Sequence, residues 1–201
     1  EFCKIFLGGM GEKNFNKLCS FGLNKYLVLS NPDVSDFSHN IMIQALRNTD
    51  NRIKNNQSVT PGFLLAALLW PTLISRCLKN NEINIRKFFR SMDGVLREQQ
   101  KLTAVPRKFN SYIKDIWVLQ LKLHSRIKSQ PYKTIRHPRF RAAYDFLLVR
   151  EKASSDKNGL GKWWTDFQKN NDSLRGSLIA RMNEKNDIDS SKIFGFYNEL
   201  R

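Results

Sequence analysis

Apolar residues recur along this chain mostly at helical spacing, and strict alternation is confined to the brief "YLVLS" at 26–30. In "EKNFNKLCSFGLNKYLVL" (12–29) the apolar positions are Phe15, Leu18, Cys19 and, past Gly22, Leu23, Tyr26 and Leu27. That spacing predicts helix as far as the turn "SNPD". Ser35 is then the expected N-cap of a helix whose stripe is Phe37, Ile41, Ala45, Leu46 and Ile53, closed by the polar "KNNQS" at 54–58. Thr60 followed by Pro61 has the arrangement that starts a helix. Pro71 lacks an N–H and crowds the preceding turn, so it is expected to stop or kink that helix and leave two short helices there. Further helices are expected at about 83–101, 106–125, 138–152, 157–169 and 172–184. The fold class that follows is all-α, a body of about seven to nine helices with no substantial sheet.

Two helices in this series carry charge on one side. On a wheel of about 100° per residue, "PRKFNSYIKDIWVLQLKLH" (106–124) groups Phe109, Tyr112, Ile113, Ile116, Trp117, Leu119 and Leu123 on one side. Arg107, Lys108, Lys114 and Lys122 fall on the other side, opposed only by Asp115. In "RHPRFRAAYDFLLVRE" (136–151), Pro138 suits the first helical position, and Phe140, Ala143, Tyr144, Leu147 and Leu148 make a buried stripe. Arg141 and Asp145 are an exposed i, i+4 pair. Phe146 falls on the flank shared by Arg139 and Arg150, where an aromatic between guanidinium groups could stack on a base. Trp163 and Trp164 in "GKWWTDF" point about 100° apart, so one is expected in the core and the other partly exposed.

Composition sharpens this picture. The 201 residues hold 34 Lys plus Arg against 18 Asp plus Glu, a formal net charge of +16, with 41% hydrophobic content. That content supports a packed core, and that charge suits a polyanionic partner. Residues 106–150 carry 11 basic and 2 acidic side chains, so +9 of the +16 lies in the segment of the two amphipathic helices. Solvated helix faces usually mix both signs, and these scarcely do. The candidate RNA-binding residues are therefore Arg107, Lys108, Lys114, Lys122, Arg136, Arg139, Arg141, Phe146, Arg150 and Lys162.

Catalytic and metal chemistry has little support. Cys3, Cys19 and Cys77 are odd in number and lack CxxC spacing, which fits a reducing compartment and a cytoplasmic location. His39, His124 and His137 lie in unrelated segments without partners at metal-ligand spacing and read as surface or capping residues. Gly8, Gly9 and Gly11 look like a phosphate cradle, but no strand precedes them and no Lys-Ser/Thr follows, so a tight turn is expected. Asp187 and Asp189 have the spacing of a metal-binding pair but sit in a polar, tail-like segment. No catalytic residue and no metal ligand is assigned. The apolar run at 61–74 is shorter than the roughly 20 residues of a spanning helix and reads as core, with no membrane association. The chain opens on Glu1 within a helical pattern, as a piece of a longer protein would.

"LTAVPRKFNSYIKDIWVLQLKL", "HPRFRAAYDFLLVRE" and "GKWWTDFQ", preceded by "LRNTDNRI" and "TPGFLLAALLWP", resemble in order and spacing the C-terminal part of the bacterial poly(A) polymerases. The resemblance covers most of residues 1–170. It implies an all-helical RNA-binding body attached to a nucleotidyltransferase head, absent here, that uses ATP and magnesium to extend RNA 3′ ends. It also implies a division into the end of a neck region (1–58), a C-terminal body with a basic face (59–170) and a polar helix and tail (171–201). No residue here matches the family's catalytic carboxylates, so this chain is expected to hold no cofactor and to act by binding RNA. The tail "NDIDSSKIFGFYNELR" departs from the pattern in not being strongly arginine-rich. The competing expectation is a non-catalytic scaffold whose charge serves acidic protein partners of RNA decay.

Overall fold

The computed structural model describes residues 2–29, 36–79, 82–83, 85–103, 105–154 and 159–184, with the backbone alone at 36–38, 78–79, 82–83 and 183–184. Ser35 and the Asp187–Asp189 pair lie outside these residues, as does the tail from 185 onward. The described elements are α1 (Phe2–Phe6), α2 (Gly11–Ser20), a 3-10 turn (Asn24–Tyr26), α3 (Asp36–Lys54), α4 (Pro61–Cys77), α5 (Ile85–Leu102), α6 (Lys108–His124), α7 (Gln130–Ile135), α8 (Phe140–Ala153), α9 (Leu160–Lys169) and α10 (Asp172–Glu184). A short antiparallel pair, β1 (Leu78–Lys79) with β2 (Glu82–Ile83), lies between α4 and α5. The fold is all-α, as the periodicity predicts.

Helix α4 is the centre of the molecule. It packs against α3, α5, α6 and α8, and its residues are buried from Leu64 through Ile74. The expected break at Pro71 does not occur: the helix continues through it to Cys77. A proline here removes one main-chain donor and crowds the carbonyl four residues back. A neighbouring helix and a neighbouring loop hold the segment from outside. Trp117 of α6 donates from Nε1 to the carbonyl of Ala66 at 2.9 Å, and Thr72 donates to the carbonyl of Leu29 at 2.9 Å. Burial of the whole segment outweighs the local cost of a proline, about 3 kcal/mol.

The N-terminal region shows two departures from periodicity. Helix α2 ends at Ser20, Gly22 takes a left-handed φ of +66°, and the expected continuation to residue 29 is a 3-10 turn and loop. Phe21, Leu23 and Tyr26 are exposed there, and "YLVL" forms no strand. The glycine cluster is a turn between helices, as expected. The start of α2 is filled by the protein itself: the Gly11 and Glu12 N–H groups donate to the two oxygens of Asp50 at 2.8 and 3.0 Å, satisfying donors that every helix start leaves open. A side chain at Gly11 would meet the Phe6 carbonyl 2.8 Å away.

Among the described residues two apolar clusters form. The larger surrounds α4 and extends from Phe6 to Val149. The smaller gathers Leu119, Leu123, Phe140, Tyr144 and Leu147 around Trp163, Trp164 and Phe167 of α9. Both tryptophans are buried, which corrects the expectation that one is partly exposed. Trp163 stacks on Phe167 at 5.0 Å, and Trp164 donates from Nε1 to the Leu123 carbonyl at 2.8 Å. Leu148, assigned to the stripe of α8, faces outward instead.

Candidate nucleic-acid interface

Helix α8 begins at Phe140, two residues after Pro138, and its entry is held by His137, whose Nδ1 accepts the Arg139 N–H at 3.1 Å. His137 thus closes the turn that leads into α8 without capping the helix itself. This entry fixes Arg139 beside α6, where its guanidinium lies over the Tyr112 ring with 4.6 Å to the centroid. One turn before Tyr112, at the same end of α6, Arg107 and Lys108 are exposed, and Lys108 lies over Phe109 at 5.4 Å.

Arg139 and Arg141 line a cleft of about 200 Å³. Its opposite wall is the last two turns of α3, with Asn48 and Arg52, and the loop through Ser58 and Thr60. Arg52 and Arg141 converge on one carboxylate, Asp145, at 3.5 and 3.1 Å. Asp145 is largely buried, and this burial holds its carboxyl above the ordinary carboxylate range against the opposing pull of Arg141 and Arg52. A second hollow of about 150 Å³ continues along the α3–α8 seam past Asn48 and Asp145 to Arg47 and Lys152. Arg47 is held at its edge by Glu12, to which it donates from Nε at 3.0 Å, and this pairing holds the Glu12 carboxyl below its usual range.

The structure divides the sequence-derived candidates. Arg139 and Arg141 meet at the cleft, and Arg107 and Lys108 lie at the adjoining end of α6. Lys122, Arg136 and Lys162 are exposed elsewhere, and Lys162 pairs with Asp166 at 3.1 Å in an i, i+4 contact. Lys114 is paired with Asp93 of α5, so its face of α6 is less one-sided than the wheel suggests.

Two candidates must be withdrawn from any surface. Phe146 is 0% exposed, in edge contact with Trp70 at 5.5 Å and Phe63 at 6.5 Å, and cannot stack on a base. Arg150 is 3% exposed. Its guanidinium lies over Trp70 at 4.9 Å, and Nη1 donates to Gln120 Oε1 at 2.7 Å. Gln120 in turn donates to the Ala143 carbonyl at 3.0 Å, joining α6 to α8 inside the core. The flank of α8 that the wheel leaves polar is covered by α4, a packing no local pattern encodes. His124 also departs from a surface role: burial, with Arg150 and Arg126 nearby, pushes its pKa down to about 3.

Sequence reasoning missed Arg47, Arg52, Asn48 and Lys152, and placed Tyr112 with the buried stripe. Arg47 and Arg52 lie in residues 1–60, where the charge excess is small, and an i, i+5 pair of arginines on α3 was the one available signal. Among the described residues no His, Cys, Asp and Glu cluster could hold a metal ion, and no helix is long and apolar enough to cross a membrane. All three cysteines are free.

A family model described as "Polymerase A arginine-rich C-terminus" matches residues 80–192. Poly(A) polymerase I of Salmonella typhi is 36% identical over 182 residues, covering 84% of this chain and 38% of that protein. Poly(A) polymerase I of Escherichia coli O157:H7 is 34% identical over the same shares. That of Haemophilus influenzae (strain ATCC 51907) is 33% identical over 192 residues, or 89% of this chain and 42% of that protein. The chain spans about two fifths of the length of these curated relatives.

Proposed function

The chain belongs to the family of poly(A) polymerase arginine-rich C-terminal regions, and from that premise we propose that it is an RNA-binding body that positions RNA 3′ ends for polyadenylation. The observation that carries this reading is the α3–α8 seam, where Arg139, Arg141 and Arg52 gather around a cleft beside the exposed Arg107 and Lys108. Guanidinium groups in an open cleft suit phosphate oxygens, which they bind in pairs, and they also offer planar faces to bases. Adenylyl transfer itself, with its ATP and magnesium, is assigned to the part of the relatives' length that this chain does not span. The reading places the protein where RNA is processed, in the cytoplasm.

Binding of a labelled single-stranded RNA to the 201-residue chain across a salt series tests it. Neutralising about three to five phosphates gives a slope of log K against log salt of roughly −2 to −3.5, at about −0.7 per phosphate. Reversing both Arg107 and Lys108 to Glu flattens that slope and weakens binding, because two attractive contacts become repulsive. A flat salt response in the wild-type chain, or stronger competition from an acidic polypeptide than from RNA, favours the protein scaffold instead.

A further inference from the structure

We propose that the cleft at the α3–α8 seam is a single-nucleotide subsite, in which an unpaired base of RNA stacks on the outer face of Arg139 while the adjoining phosphate takes the place that the Asp145 carboxylate holds between Arg52 and Arg141. The inference rests on the RNA-binding reading and deepens it by naming which residue meets a base and which meet its phosphate.

The base platform follows from how Arg139 is held. A guanidinium is flat and weakly hydrated, and it stacks on rings from either face. Tyr112 covers one face at 4.6 Å, and Tyr112 is itself fixed against Gly62, where a side chain would come within 2.7 Å of its ring. Arg139 is exposed and lines the cleft, so the face turned from Tyr112 is presented to it with the side chain already ordered. Stacking there loses less rotamer freedom than stacking on a free arginine. A cleft of about 200 Å³ edged by Asn48, Ser58 and Thr60 has the scale of one nucleotide and polar groups for its edge.

The phosphate position follows from Asp145. Two arginines from different helices aim at one carboxylate, the geometry with which guanidinium groups clamp a phosphate. Arg141 is mostly solvent-exposed and free to turn to a ligand, and Arg52 is about one third exposed, its Nε anchored on the Ser58 carbonyl at 3.2 Å with Nη1 aimed at the cleft, whereas Asp145 is held largely buried. The carboxylate thus pre-orders the two arginines and competes with the incoming phosphate. Its protonation is eased by burial, which lowers the cost of that displacement.

The experiment compares two labelled oligomers of equal length, one single-stranded RNA and one abasic ribose phosphate, on the wild-type chain, Arg139→Lys and Asp145→Asn. The wild type should prefer the RNA by about fivefold or more, the contribution of one stacked base. Arg139→Lys keeps the charge and loses the flat face, so it should erase that preference while the salt slope stays unchanged. Asp145→Asn should tighten binding of both oligomers by freeing the two arginines. An Arg139→Lys chain that still prefers RNA as the wild type does overturns the subsite, as does an Asp145→Asn chain that melts like the wild type and binds neither oligomer more tightly. RNA bound with a normal salt slope in either case leaves the broader RNA-binding reading standing. A wild-type chain that binds neither oligomer overturns both.

Discussion

Arg139 and Arg150 stand at opposite ends of one helix, and each lays its guanidinium over an aromatic ring, at 4.6 Å over Tyr112 and 4.9 Å over Trp70. The first is exposed at a cleft and the second is 3% accessible in the core. Their local sequence gives no reason for the difference: each has an aromatic neighbour, Phe140 next to Arg139 and Phe146 one turn before Arg150, and both fall on the polar flank of the wheel. What separates them is the neighbour. The Arg139 end of α8 lies at the open α3–α8 cleft, with Tyr112 of α6 on one face of the guanidinium, whereas the Arg150 end runs under α4, with Phe146 wedged between Trp70 and Phe63. The same pairing of arginine and ring is therefore a candidate contact surface at one end and a structural joint at the other.

Three measurements would break or sharpen that contrast. The largest effect is expected at Phe146. Replacement by Ala empties a fully buried aromatic site between two other rings and should lower stability by about 3–5 kcal/mol. A chain that melts normally and loses only RNA affinity would return Phe146 to the surface and dissolve the contrast.

The buried end should also be sensitive to acid. The folded-state pKa of His124 lies at about 3, below its ordinary 6.5, so the unfolded chain binds a proton that the folded chain refuses. Stability from this residue is complete above pH 6.5 and is lost as pH falls toward 3. The loss should reach about 2 kcal/mol between pH 6.5 and 5, at about 1.36 kcal/mol per pH unit. That window lies above the range in which Glu12 and Glu98, whose carboxyls Arg47 and Arg76 hold low, take up protons and add their own acid loss. Urea unfolding at the two pH values should show this loss in the wild type and not in His124→Gln. Equal slopes in both chains would place His124 in solvent.

The smallest and most selective effects distinguish the two arginines directly. Arg150→Met leaves Gln120 Oε1 without the donor at 2.7 Å and should reduce stability by about 1–3 kcal/mol while RNA affinity stays unchanged. Arg139→Ala removes an exposed stacking contact and should shift stability by at most about 0.5–1 kcal/mol while RNA binding weakens. Paired melting and RNA titrations read both quantities, and the reverse assignment of effects would exchange the roles of the two ends.

What the sequence determined by itself was whatever depends on period and composition. The helical spacing of apolar residues specified an all-α chain, placed α5, α6, α8 and α9 to within a few residues and α10 to the residue, and identified Phe140 and Tyr144 as core. Charge counting directed attention to residues 106–150, which supply Arg139 and Arg141, and the word-like segments supplied the family. Tertiary structure decided everything that depends on which face meets which neighbour. A wheel knows one helix and divides it into an apolar and a polar side, but α8 is covered on two sides, so its polar flank became core at Phe146 and Arg150 and stayed open at Arg139. Pro71 reads as a break because the local rule weighs one missing donor, and it sits inside α4 because burial on all sides weighs more. The cleft itself joins α3 to α8 across about ninety residues of chain, as in the Arg52–Asp145 pair. Such a juxtaposition leaves no periodic signature, since it arises only when separate apolar stripes pack together.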